Sequence, residues 1–161
     1  MWWDSLIIFV VTFGLFTLSA ILWPTDRQWY ASLNKPSWTP PAKWFGIVWT
    51  VLYALIAAAV TIVYDRTDSF QDVSAHWLIA LAVNYAFNQA FNYVEFKAKN
   101  LFAGFVDTLL VAVTACWLLI ETAAYSRLAA WLLVPYLLWA SFATLLAWMI
   151  FLLNRDEAEA Y

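Results

Sequence analysis

Apolar residues run along this chain in five long stretches, separated by short segments where the polar, charged and proline residues collect. The stretches cover about residues 6–23, 44–64, 76–93, 101–120 and 128–153. A hydrocarbon core about 30 Å thick needs roughly 20 mostly apolar residues per helix, and each stretch meets or approaches that length. The pattern predicts an all-α integral membrane protein, a single domain built as a five-helix bundle. The fifth stretch reads as continuous despite Pro135. In lipid, neighbouring helices can satisfy the carbonyl that a proline frees. The first stretch lacks the basic flank and small-residue cleavage site of a secretory signal, so it is expected to be a retained helix. The acidic tail, residues 155–161, is expected to fray.

Composition narrows the class. Of 161 residues, 65% are hydrophobic and only 12% are charged, whereas a soluble domain carries about 25% charged residues. Lipid is the solvent that fits. A net charge of -3 argues against nucleic acid, because nothing here neutralises a run of phosphates. One cysteine and one histidine exclude an internal disulfide and a Cys-clustered metal site, and no metal is expected. Arg27, Lys35, Lys43, Lys97, Lys99 and Arg155 fall on one side of a five-pass topology, against Arg66 and Arg127 on the other. The positive-inside rule then puts the first and third loops and the C-terminus in the cytoplasm, with the N-terminus outside.

Within the spans, polar residues are few and patterned. Asn84, Asn88 and Asn92 recur every four residues along one helix face, with Ala82, Ala86 and Ala90 nearly opposite. The asparagine row should face the bundle interior, as interhelical glue or as the polar rim of a pocket. The alanine row allows another helix close approach, within the bundle or from a second subunit. Asp107 is the acidic residue well inside a span; Lys97 and Lys99 are its candidate partners, and a structural role is favoured over proton coupling. On the fifth helix, Tyr136, Trp139, Ala140, Ala143 and Ala147 share one stripe. Flat aromatics beside small residues suit a planar apolar guest, and Trp49 and Tyr53 offer a second wall. Ordinary aromatic packing explains the same pattern.

The first loop, residues 24–43, is the most distinctive. Pro36, Pro40 and Pro41 fix φ and remove donors, which predicts a stiff, non-helical segment. It is either an interfacial anchor or a lid over a cavity. Its string Trp29-Tyr30-x-x-Leu33-x-Lys35-Pro36-Ser37-Trp38-x-Pro40-Pro41 resembles the first-loop signature of the TspO/translocator-protein family. Leu133-x-Pro135-Tyr136-x-x-Trp139-x-x-Phe142-Ala143 and Val106-Asp107-x-Leu109-Leu110-Val111 are similar to two further family patterns. The third span, with Asn84, Asn88, Gln89 and Phe91, resembles the bacterial branch, although residues 91–93 replace a frequent family tryptophan.

The resemblance implies a receptor or sensor for porphyrins and other planar hydrophobes, needing no cofactor, with porphyrin as ligand or substrate. Carried over by position, Tyr30, Trp38 and Pro40 would form the lid. Trp49, Tyr53, Asn84, Asn88, Phe91, Asp107, Tyr136, Trp139 and Ala143 would form the pocket. Lys35 or Arg27 would meet a ligand carboxylate, an inference from charge and position. Some bacterial members resemble catalysts of light- and oxygen-dependent porphyrin breakdown, which would put Trp49 and Trp139 in the catalytic role. Nothing in the sequence resembles an acid–base pair, a triad or a haem ligand. A transporter and a non-catalytic partner protein are the alternatives. A homodimer in a bacterial plasma membrane is the expected setting.

Overall fold

The computed structural model describes residues 2–158, with side chains through Arg155. Among the described residues there are six α-helices and no strand: α1 Trp2–Leu22, α2 Arg27–Ser32, α3 Ala42–Arg66, α4 Ala75–Asn92, α5 Leu101–Ala123 and α6 Arg127–Ala158. Five of them match the five apolar stretches, each within a few residues except at the end of α6. That helix runs on to Ala158, so most of the tail expected to fray is helical, and residues 159–161 lie outside the described residues. Pro135 sits inside α6 without ending it.

Four helices, α1, α3, α5 and the 127–155 part of α6, are long and apolar enough to cross a membrane. The sequence suggested five. α4 has 18 residues, and Asn84, Asn88, Gln89 and Asn92 dilute its apolar character. Those amides point inward rather than towards lipid: Asn84 and Asn88 are buried, whereas Ala82 and Ala86 on the opposite face are exposed.

The sixth helix is the departure inside the loop. Residues 27–32 lie between Pro24 and Pro36, so nothing forbids a helix there. Asp26 caps it by accepting the Trp29 amide at 3.0 Å. The lid is therefore helical first and proline-stiffened afterwards, not non-helical throughout. Lys35 closes the other end, donating to the carbonyls of Tyr30 at 2.6 Å and Leu33 at 2.8 Å. These are the orphan carbonyls of a helix C-terminus.

The bundle packs α5 against α6 and α4, α3 against α1 and α6, and α1 against α4. Outward positions such as Ile7, Val10, Ile21, Val113, Trp131 and Leu138 stay exposed, as lipid-facing side chains do. A polar seam stitches α1 to α4: Gln89 accepts from the Ser19 amide at 2.9 Å and donates to the Phe16 carbonyl at 3.1 Å. Asn92 donates to the Ser19 hydroxyl at 3.2 Å. After Asn92 the helix widens into a π-turn, Tyr93–Lys97, and Lys99 takes a left-handed φ of 54°. Asn100 then caps α5 by accepting the Ala103 amide.

Candidate functional site

An internal cavity of about 570 Å³ opens between the helices beneath the lid. Pockets that enclose small molecules run from about 300 to 1,000 Å³. α3 supplies one wall, with Phe45, Trp49 and Tyr53 at four-residue intervals. α6 faces it with Ala140, Ala143 and Ala147. α4 contributes Asn88, Phe91 and Asn92, and the lid closes the space with Pro24, Arg27 and Tyr30. Small side chains on α6 leave the volume that the aromatics of α3 then flatten on one side. Trp49 lies tilted against Tyr53, centroids 5.6 Å apart, and edge-on to Tyr136 at 6.2 Å.

Of the twelve residues that the family resemblance assigned to lid and pocket, Tyr30, Trp49, Tyr53, Asn88, Phe91 and Ala143 come together on this wall. The other six lie behind or outside it. Asn84 is fully buried and donates to the Val111 carbonyl at 3.2 Å and to Thr114 Oγ1 at 2.9 Å. Tyr136, equally buried, donates its hydroxyl to Asn84 Oδ1 at 3.0 Å and accepts from Asn88 Nδ2 at 3.3 Å. Asn84 and Tyr136 therefore join α4, α5 and α6 as a closed hydrogen-bond node, while Asn88 belongs to both node and cavity.

Trp139 lines a shallow outer groove with Val48, Leu52, Pro135 and Phe142. Its ring packs on Phe45 at 5.7 Å and Phe142 at 5.3 Å, and its Nε1 is buried without a partner. Trp38 sits edge-on to Phe142 at 5.8 Å and stays largely exposed. Pro40 is half-buried beside it in the chain. Asp107 is buried on α5 with Oδ2 unpartnered. Neither suggested lysine pairs with it. Lys99 instead forms an ion pair with Asp26 at 3.0 Å, tying the turn before α5 to the lid.

Of the two loop cations offered for a ligand carboxylate, Arg27 lines the cavity. Lys35 is committed to the carbonyls that end α2. Electrostatics at the lid follow from these contacts. The Trp29 amide, and then Lys99, hold the Asp26 carboxyl below its usual range. Burial pushes the Tyr30 phenol up to about 12, with the nearby Glu95 charge adding to the shift.

Sequence reasoning missed Phe45, Phe96 and Glu95. Phe45 stands one turn before Trp49, so extending the Trp49–Tyr53 row backwards finds it. Glu95 stands seven residues after Asn88, two turns on, but the apolar stretch had been closed at residue 93. The lid is also held by a reciprocal pair that no motif marks. Asn154 accepts the Asn34 amide at 2.9 Å and donates to the Asn34 carbonyl at 2.8 Å.

An all-helical bundle of this apolarity, enclosing a cavity under a capped loop, defines a helical integral membrane protein with an internal binding-sized chamber. The model of the TspO/MBR family matches residues 6–153, and the chain belongs to that family. It is 48% identical to the tryptophan-rich protein TspO of Bacillus cereus, over 94% of this chain and 97% of that protein. It is 35% identical to a tryptophan-rich sensory protein of Cereibacter sphaeroides, covering 89% and 87%. The human translocator protein is 33% identical over 85% of this chain and 81% of its own length.

Proposed function

We propose that this protein is a membrane receptor for porphyrins of the protoporphyrin type and other planar hydrophobic molecules, bound in the cavity beneath the lid. The observation that carries the reading is the cavity's construction, a volume of about 570 Å³ with aromatics on α3 facing alanines on α6. A flat apolar guest gains area burial and stacking there, and a few polar groups orient it. Asn88, Asn92 and the Arg27 guanidinium are those polar groups, with Arg27 placed for a ligand carboxylate at the mouth. Relatives carrying the names sensory protein and translocator protein fit a chain whose role is to hold a small molecule.

In this reading α4 is the fifth crossing helix, its amides covered by α1, α5 and α6 rather than by lipid. The lid and C-terminus lie on the cytoplasmic side of a bacterial plasma membrane, where positive charge collects. A homodimer forms through the exposed Ala82–Ala86 face. If the bound porphyrin is degraded in light, Trp49 is the tryptophan on the cavity wall, and Trp139 acts only through Phe45.

The test is a protoporphyrin titration of detergent-purified protein, in the dark and then under illumination, with Trp49→Phe and Trp139→Phe. Saturable dark binding is expected. Light-driven loss of the porphyrin spectrum, slowed more by Trp49→Phe than by Trp139→Phe, would add turnover to binding. Gradient-dependent uptake into proteoliposomes would indicate transport instead. A folded protein that shows no saturable binding would end the porphyrin reading.

A further inference from the structure

Glu95 is the one acidic side chain among the residues lining the cavity. The geometry points to it as the receptor for a cationic or N–H-donating nitrogen on the guest. This rests on the cavity reading proposed above and adds the chemistry that the guest must present.

The π-turn after α4 carries Glu95 into the wall, where it is only 5% exposed. Its Oε2 is buried against Gly104 without a hydrogen-bond partner, and Glu95 borders the cavity through its other side-chain atoms. Gly104 on α5 provides the seat, because a Cβ at that position would run into the Glu95 carboxylate. Asp107, one turn further along α5, is also buried with an unpartnered Oδ2 and stands behind Glu95. No lysine or arginine compensates the pair among the described residues: Lys99 is bound to Asp26, and Arg27 and Lys43 are exposed at the lid. A buried carboxylate without a partner is costly, and a cation or a strong donor relieves the cost.

The surroundings suit a cation as well as the carboxylate does. Phe96 stands edge-on to Tyr30 at 6.3 Å and to Phe91 at 5.9 Å, and all three rings line the same end of the cavity as Glu95. Aromatic faces around an anion attract an ammonium, an amidinium or a protonated ring nitrogen through their quadrupoles. The cavity wall therefore carries both signs of charge. A guest's carboxylate meets Arg27, and its basic or N–H nitrogen meets Glu95.

The probes are acridine, neutral at pH 8, and 9-aminoacridine, a cation of nearly the same shape at that pH. Each is titrated by fluorescence into the full chain in zwitterionic nanodiscs. Wild type is expected to bind 9-aminoacridine about tenfold or more tightly than acridine, as one ion pair with cation–π support provides. Glu95→Gln should reduce the ratio to about threefold or less and leave acridine affinity within about twofold. Gly104→Ala, which displaces the carboxylate without removing it, should lower the ratio in the same direction. Equal affinities in wild type would overturn the inference even if neither variant folds. A preference that survives in folded Glu95→Gln would overturn it too. Acridine binding without cation preference sinks Glu95's role alone, whereas saturable binding of neither probe removes the cavity reading together with it.

Discussion

Replacing Asn84 with alanine separates the two roles that the asparagine row could play. Asn84 makes three side-chain bonds, to the Val111 carbonyl, to Thr114 Oγ1 and from the Tyr136 hydroxyl. Interhelical hydrogen bonds in membranes average about 0.6 kcal/mol each, so three are worth roughly 2 kcal/mol. Two of the three partners keep another bond, but the buried Tyr136 hydroxyl loses the acceptor for its proton. Thr114 still donates to the Leu110 carbonyl at 2.7 Å, and Tyr136 still accepts from Asn88. The desolvation penalty of that abandoned buried donor, about 1–3 kcal/mol, therefore adds to the loss. Asn84→Ala is expected to lower stability by about 3–5 kcal/mol in an SDS titration from mixed micelles, followed by tryptophan fluorescence. Ligand affinity should hold within about twofold, because Asn84 does not reach the cavity. Asn88→Ala, on both node and wall, should reduce stability and affinity together. A loss below about 0.5 kcal/mol for Asn84→Ala, or a larger effect on binding than on stability, would refute the assignment.

Two further outcomes concern the lid. Asn154→Ala removes the reciprocal pair with Asn34, and two bonds of about 0.6 kcal/mol correspond to roughly eightfold more frequent opening. Hydrogen exchange at residues 33–35 should quicken by that factor while the helix cores stay protected; unchanged exchange would mean that the lid is held elsewhere. Asp26, whose carboxyl is held below its usual range by the Trp29 amide and then by Lys99, makes the lid sensitive to acid. A depressed folded-state value stabilises above the unfolded one, near 3.8, and that contribution is lost as pH falls through the lower folded value. Acrylamide quenching of lid tryptophans should therefore be flat from neutrality to about pH 4 and rise below it. Asp26→Asn should raise quenching at neutral pH and flatten the rise, the two proteins converging in acid, and an unchanged profile in that variant would count against the Asp26 latch.

The helices were legible in the sequence because lipid imposes one demand, a long apolar run with its backbone satisfied internally. Even Pro135 did not obscure α6. α4 was harder, because its amides mimic a soluble face until their partners on α1, α5 and α6 are known. The short lid helix was masked by the prolines that follow it, since its signal is only Asp26 and a proline-free gap. The cavity wall was partly visible: the spacing of Trp49 and Tyr53 and the alanines of α6 mark faces, and both rows point into the same space. Trp139 shows why the rest was not. It shares the Tyr136–Ala143 stripe, yet that stripe is about 100° wide, and its edge turns to the outer groove beside α3. Glu95 and Gly104 stand on different helical segments with a turn between them, and only the packing of the π-turn on α5 makes the carboxylate and its seat recognisable as one feature.

The central claim is that the space beneath the lid receives the ligand, and filling that space tests it most directly. Ala143 stands half-buried on the cavity wall, whereas Leu138 lies on the same helix in the outer groove and is 65% exposed. Protoporphyrin would be titrated in the dark into wild type, Ala143→Trp and Leu138→Trp, each first shown to be folded and monodisperse. The account predicts saturable binding by wild type and Leu138→Trp, and a loss of about tenfold or more with Ala143→Trp. Undiminished binding by Ala143→Trp, or loss confined to Leu138→Trp, would place the ligand outside the cavity and contradict the account.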